Sequence, residues 1–158
     1  MKELGLTESK FDPKELLDCF AIATLTDLVP LINENRTLVK HGLVQLQNTK
    51  RPGLKALLKS LGLWGRPLTS SDAAIRFAPK LNALSRMEMG VMPLDLYIVE
   101  TDQEAENLVG TVMKNNEKRI DLQASAEKEA RAWVEANPQE GFIWVKSKNF
   151  HKGVVGLV

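Results

Sequence analysis

Basic side chains are the residues of this sequence whose types and spacing point most directly to chemistry with a ligand. From Arg36 to Arg86 the chain carries ten lysines and arginines against the single acid Asp72, a formal charge of +9, although the whole 158-residue protein has a net charge of only +1. Cations grouped in this way can neutralise phosphates, and each such contact releases counterions. We therefore predict a nucleic-acid-binding surface made of these residues: Lys50, Arg51, Lys55, Lys59, Arg66, Arg76, Lys80 and Arg86.

The stretch TKRPGLKALLKSLGLWGRP, residues 49–67, contains the densest part of this charge. Trp64 within it can either stack on a nucleic-acid base or lie in the core. If residues 71–89 form a helix-turn-helix, the second helix offers four side chains to a groove of DNA. These are Lys80, Asn82, Ser85 and Arg86.

The flanking segments leave a second interpretation open, because residues 1–35 and 87–158 each have a formal charge of −4. These acids can fold over the basic segment, or the basic surface can dock on an acidic partner protein. The leading hypothesis is a non-enzymatic nucleic-acid-binding or regulatory protein. The alternative is a protein–protein interaction module or an inhibitor that docks on an acidic partner surface.

Residues for catalysis or for cofactor binding are not recognised in the sequence. Neither a GxxxxGK[ST] loop nor a GxGxxG loop occurs, so nucleotide-dependent chemistry has no support. Cys19, His41 and His151 are far apart and do not have the spacing of a zinc site. Cys19 is expected to pack on the apolar side of a helix, and His41 either caps a helix end or contacts an anion. We therefore predict no metal, no cofactor and no catalytic residue.

The first 90 residues are predicted to be mainly helical. Asp12 and Pro13 can start one helix, and residues 37–42 a second one, which ends at Gly42 before a short strand in residues 43–47. Leucines at helical spacing indicate another helix, which ends at Gly62: Leu54, Leu57, Leu58 and Leu61. A capped helix follows from about Asp72, and Pro79 is expected to interrupt it. Helix-turn-helix and winged-helix arrangements both fit this order.

The remaining residues, 91–158, are predicted to form a small α/β subdomain beyond a boundary near Gly90. Strands are expected at Asp95–Glu100, at Arg119–Leu122 and, most clearly, in GFIWVK at Gly141–Lys146. Two capped helices are expected between them, Thr101–Lys114 and Ser125–Asn137. The predicted fold class is therefore α+β, with two or three strands and two helices in the second part.

The composition fits a globular protein, with 44% hydrophobic and 26% charged residues. The single cysteine favours a reducing compartment. The apolar run from Leu16 to Ile32 contains Asp18, Asp27 and Pro30, which argue against a membrane span. We therefore predict a cytoplasmic protein that does not enter a membrane.

Overall fold

A computed structural model describes residues 12–87, 91–138 and 141–158, and every regular element within these ranges is helical. The predicted α+β class is therefore wrong for the described residues, and so is a winged-helix arrangement, which needs strands. The α-helices are α1 (Leu17–Thr26), α2 (Asn33–Gln47), α3 (Pro52–Ser60), α4 (Ala78–Met87), α5 (Asp95–Ile98) and α6 (Asp102–Ala136). A π-helix spans Asp72–Phe77, and 3-10 helices span Pro13–Leu16 and Val155–Leu157.

Helices α1 and α2 pack closely because Gly42 lies between them. A Cβ atom at Gly42 would come within 2.2 Å of the Leu17 carbonyl oxygen and 2.6 Å of the Ala21 Cβ. Gly42 therefore lies inside α2, at its contact with α1, and does not end the helix. The helix continues to Gln47. The predicted strand in residues 43–47 is wrong for this reason.

Helix α3 confirms the prediction made from the leucine spacing. Leu54, Leu57 and Leu58 are at most 1% exposed. Gly62 has a φ of 64°, and its amide donates to the Lys59 carbonyl at 3.0 Å. The amide of Leu63 donates to the Leu58 carbonyl at 2.8 Å, so the helix has the predicted Schellman ending.

The π-helix and α4 form one continuous helical backbone, so Pro79 does not separate two helices. The amide of Ala78 donates to the carbonyl of Ala73, five residues earlier. A wide turn of this kind is one way in which a helix accommodates a disrupted hydrogen-bond ladder near a proline. The helix-turn-helix predicted around Pro79 is therefore not formed.

Helix α6 is a single helix of 35 residues where two helices and a strand were predicted. Its start is the predicted capping box, in which the Glu104 amide donates to Thr101 Oγ1 at 3.2 Å. Asn115 and Asn116, which were expected to end the first helix, are buried within it at 2% and 4% exposure. An asparagine costs a helix well under about 1 kcal/mol, so packing along α6 outweighs this preference.

The two other predicted strands are also absent from the described residues. Residues 95–98 form the short helix α5, where the Asp95 carboxylate accepts from the Met92 amide at 2.8 Å. GFIWVK, residues 141–146, has no regular structure. A strand requires hydrogen bonds to a neighbouring strand, and these residues are not assigned to such a ladder. The predicted boundary near Gly90 falls in residues 88–90, outside the described residues, and it stays a prediction.

The core lies where α3, the π-helix, α4 and α6 meet. Its largest fully buried side chains include Phe77, Leu54, Leu57, Leu96 and Val112. A smaller cluster of Leu25, Val39 and Ala73 joins α1 and α2 to the π-helix. Within the described residues, no helix is both long and apolar enough to cross a bilayer.

Candidate nucleic-acid interface

The eight predicted basic residues do not form one continuous surface patch, because several of them are bound internally. Arg51 is the clearest case. Its Nε atom lies 3.4 Å from Asp18 Oδ2, and its Nη1 atom donates to the Tyr97 carbonyl at 3.3 Å. Asp18 is 2% exposed and also accepts from Thr49 Oγ1 at 2.9 Å. Arg51 therefore holds α1, the start of α3 and α5 together.

Arg66 and Arg76 share the carboxylate of Asp72. Arg66 Nη2 lies 2.6 Å from Asp72 Oδ1, and Arg76 Nη1 lies 3.8 Å from the same oxygen. Hydrogen bonds from the Thr69 amide and hydroxyl, and then from Arg66, hold the pKa of Asp72 below its ordinary value. The one acid of the basic segment is therefore ionised and offsets part of the charge of two arginines.

Two further cations, Lys80 and Arg119, form no ion pair with a carboxylate among the described residues. Lys80 on α4 is close enough to two arginines for their positive charges to act on it. Arg76 lies four residues earlier on the same helical backbone, and Arg119 lies on α6, which packs on α4. Partial burial, followed by the positive charges of Arg119 and Arg76, lowers the pKa of Lys80. In the described parts of the chain, no carboxylate lies within 4.0 Å of the Lys80 ammonium. We call Arg76, Lys80 and Arg119 the basic cluster.

Arg119 is held in place by its neighbours on α6. Its Nη1 atom donates to Gln123 Oε1 at 2.9 Å, and Gln123 Nε2 donates to the Leu157 carbonyl at 3.2 Å. The Nε atom of Arg119 is buried and has no hydrogen-bond partner. A buried donor without a partner costs free energy.

The lysines of α3 lie apart from these groups and accompany Trp64. The Lys55 Nζ atom is 5.9 Å from the centroid of the Trp64 ring, and Lys59 follows one turn later. Trp64 is 37% exposed. Both lysines also line a cleft of about 450 Å³ between α3 and α6, opposite Asp102 and Glu106.

The two remaining predicted cations are exposed at helix ends. Lys50 lies just before α3, and Arg86 lies in the last turn of α4. Asn82 and Ser85 are exposed on the same helix, although no helix-turn-helix presents them. The backbone of Gly153 approaches Arg86 closely, since a Cβ there would lie 2.2 Å from the Arg86 carbonyl oxygen.

The other candidate residues do not form a catalytic or metal centre in the part of the chain that the structure describes. Burial raises the pKa of Cys19 to about 11, so this thiol stays protonated at neutral pH. His41 lies inside α2 and is exposed, so it does not cap a helix end. His151 Nδ1 accepts from the Gly153 amide at 3.1 Å. No group of three or more His, Cys, Asp or Glu residues within the described ranges could hold a metal ion.

Arg119 and Gln123 are the members of this site that sequence reasoning missed. Residues 119–122 were predicted to form a strand, which hid their position on a helix. The usable signal was their spacing of four residues, which places two side chains on one face of a helix.

Comparison with known proteins identifies relatives of a single kind, although no family model matches the chain. The chain is 37% identical over 150 residues to the single-stranded-DNA-specific exonuclease RecJ of Bacillus subtilis, covering 92% of the chain and 19% of that protein. It is 32% identical over 146 residues to the RecJ exonuclease of Thermus thermophilus, covering 92% of the chain and 21% of that protein. The chain thus spans about a fifth of the length of these relatives.

The backbone agrees with the same relatives. A crystal structure of RecJ from Thermus thermophilus in complex with Mg²⁺ matches with a TM-score of 0.81 and 30% identity, over 99% of this chain and 24% of that one. The chain therefore has the fold of a helical part of that protein, which again contradicts the α+β prediction.

These relatives also correct the functional predictions. They are enzymes, so the predictions of a non-enzymatic protein and of a regulatory protein are wrong. The alternative of a protein–protein interaction module or inhibitor finds no support among them either. The relatives act on single-stranded DNA, which agrees with the coarser expectation that nucleic acid is the relevant partner.

Proposed function

We propose that the chain forms a helical part of a single-stranded-DNA-specific exonuclease and binds phosphates of the substrate strand with the basic cluster. The observation that carries this proposal is the similarity to RecJ exonucleases over 92% of the chain, matched by the backbone agreement over 99% of it. Single-stranded DNA is an anionic ligand, and Arg76, Lys80 and Arg119 bring three cations together.

The physical case for the basic cluster is its net positive charge, because its one carboxylate partner among the described residues, Asp72, is shared with Arg66. Lys80 faces two positive neighbours and has no carboxylate within 4.0 Å among the described residues. A phosphate placed there would offset the repulsion among the three cations. The same phosphate would gain little from Arg51, whose guanidinium is already bound to Asp18.

The other predicted basic residues have different roles in this proposal. Lys50, Lys55, Lys59 and Arg86 are available for further phosphate contacts, because none of them has a carboxylate within 4.0 Å in the described residues. We assign Arg51 and Arg66 positioning roles, since they lie 3.4 Å and 2.6 Å from a carboxylate, whereas Arg76 lies 3.8 Å from the Asp72 carboxylate. A cytoplasmic location stays a prediction.

The Mg²⁺ in the solved relative raises the question of whether this chain could hold such an ion. Mg²⁺ takes hard oxygen ligands, chiefly carboxylates. The described residues contain no group of three or more candidate ligands, so they do not fit a complete metal site. We assign no hydrolytic step to them.

The first test is the binding of a fluorescein-labelled oligothymidylate to the full 158-residue chain, followed by fluorescence anisotropy at increasing salt. Binding to a single strand weakens with salt with a slope of roughly 0.7 per phosphate contact. We expect Lys80→Ala to weaken binding about fivefold at low salt and to reduce the slope by about 0.7.

The matched control is Lys128→Ala, which removes one exposed lysine from α6, nine residues beyond Arg119. It should leave both the affinity and the salt slope unchanged. Absence of any binding by the wild-type chain at low salt would overturn the proposal. An equal loss of affinity in the Lys80 and Lys128 variants would mean that the basic cluster makes no specific contribution to binding.

A further inference from the structure

Trp64 is a large aromatic side chain held at the surface by a loop of defined conformation. It is 37% exposed, whereas its neighbour Leu63 is 1% exposed and packs in the core. Gly62 and Gly65 on either side have φ values of 64° and 80°, which only glycine adopts without strain. The loop therefore turns Leu63 inward and leaves Trp64 partly in solvent.

The loop that carries Trp64 is tied to the basic cluster and its neighbours. The Nη2 atom of Arg76 donates to the Leu61 carbonyl, and Arg66 Nη2 lies 2.6 Å from Asp72 Oδ1. Trp64 is three residues from Leu61, so their Cα atoms are at most roughly 11 Å apart. An aromatic ring is thus fixed close to the residues proposed to bind phosphates.

The surroundings of Trp64 also favour an anionic strand. Lys55 Nζ lies 5.9 Å from the ring centroid, and no carboxylate among the described residues is within 4.0 Å of Lys55 or Lys59. Asp102 and Glu106 line the cleft between α3 and α6 and disfavour a phosphate inside it. A strand is therefore expected to reach Trp64 from outside that cleft.

From this arrangement we infer that Trp64 stacks on a base of the single strand whose phosphates contact the basic cluster. The inference deepens the proposed function and rests on it. Stacking on an aromatic ring tolerates any base, because every base has a π-face. Lys55 can exchange its contact with the ring for a phosphate of the same strand, since it forms no ion pair among the described residues.

The test compares two ligands of equal length, an oligothymidylate and an abasic strand that keeps the phosphates and lacks the bases. Trp64→Ala is expected to weaken binding of the oligothymidylate about tenfold and to leave binding of the abasic strand unchanged. Trp64→Phe keeps a ring and should retain the wild-type affinity within about threefold. Trp144→Ala is the matched control, because Trp144 is 63% exposed on the segment 141–158, and it should change neither affinity.

A second measurement covers the case in which Trp64→Ala does not fold. The protein has three tryptophans, so the double variant Trp133→Phe, Trp144→Phe leaves Trp64 as the sole indole. The oligothymidylate should quench its fluorescence, whereas the abasic strand should not.

The outcomes separate this inference from the proposed function. If the wild-type chain binds both strands while Trp64→Ala weakens neither, or weakens both equally, base stacking is overturned and phosphate binding stands. Equal quenching by the two strands would also overturn stacking. If the wild-type chain binds neither strand at low salt, the proposed function fails, and the stacking inference fails with it.

Discussion

Asp18 is a buried carboxylate whose neighbours satisfy both of its oxygens. Oδ1 accepts from the Cys19 amide at 2.7 Å, and Oδ2 accepts from Thr49 Oγ1 at 2.9 Å. Arg51, which is 30% exposed, supplies the opposite charge at 3.4 Å. Removing one partner of such an ion pair destabilises the fold strongly, because the other charged group is left buried without an opposite charge.

Replacement of this carboxylate should therefore destabilise the fold. We expect Asp18→Asn to lower the free energy of unfolding by about 2 kcal/mol, as measured by urea denaturation. Glu15→Gln, which changes an exposed carboxylate three residues earlier, is the control and should have little effect. A loss in Asp18→Asn no larger than that of the control would mean that Asp18 does not hold α1 to α3.

At the scale of the helices, Gly42 determines how closely α1 and α2 approach. We expect Gly42→Ala to destabilise the protein by about 2 kcal/mol, since the new methyl group would lie 2.2 Å from the Leu17 carbonyl oxygen. Gly110→Ala is the matched control inside α6, where the added Cβ would meet no atom within 4 Å apart from its chain neighbours and the local backbone of the helix itself. It should be neutral or should stabilise by up to about 1 kcal/mol. Comparable destabilisation by both changes would contradict this account of the α1–α2 contact.

The helices that the sequence predicted well have local signals at both ends. For α3 these are Pro52 in the first turn and Gly62 just beyond the end, with leucines at helical spacing between them. The start of α6 is likewise marked by the Thr101–Glu104 capping box. Such signals act within a few residues, so a single sequence contains them in full.

The failures concern residues whose conformation depends on distant contacts. Residues 95–98 have a strand-like composition, yet they form a helix in which Leu96 is fully buried, and its carbonyl oxygen would lie 2.2 Å from a Cβ at Gly53. Asn115 and Asn116 have low helix propensity, yet they are buried along α6. In each case tertiary packing overrides a weak local preference, which a single sequence does not reveal.

For the whole molecule, the basic cluster also depends on tertiary contacts that a single sequence does not reveal. Arg76 and Lys80 belong to the segment of charge +9, and this part of the site could be predicted from composition. Arg119 comes from a segment of charge −4 and reaches the cluster only because α6 packs on α4. The cluster thus combines charges from distant parts of the chain, and the phosphate-binding role proposed for it would conflict with the stability of the fold.

This conflict leads to a prediction with a defined dependence on pH. The pKa of Lys80 in the folded state is below its ordinary value of 10.5, so the charged ammonium destabilises the folded state relative to the unfolded chain. The penalty is fully present below the folded-state pKa and is lost as pH rises through 10.5, because the unfolded chain binds more protons than the folded chain between the two pKa values.

Lys80→Met, which removes the charge and keeps an apolar stem, should therefore raise the melting temperature at neutral pH while it weakens binding of the oligothymidylate. Its thermal advantage, followed by circular dichroism, should shrink as pH rises from the folded-state pKa through 10.5, because wild-type Lys80 is neutral in both states only above 10.5. Lys128→Met should alter neither property. A Lys80 variant that is less stable than wild type at neutral pH would mean that the ammonium has a compensating partner, and a site with such a partner would have little charge left for a phosphate.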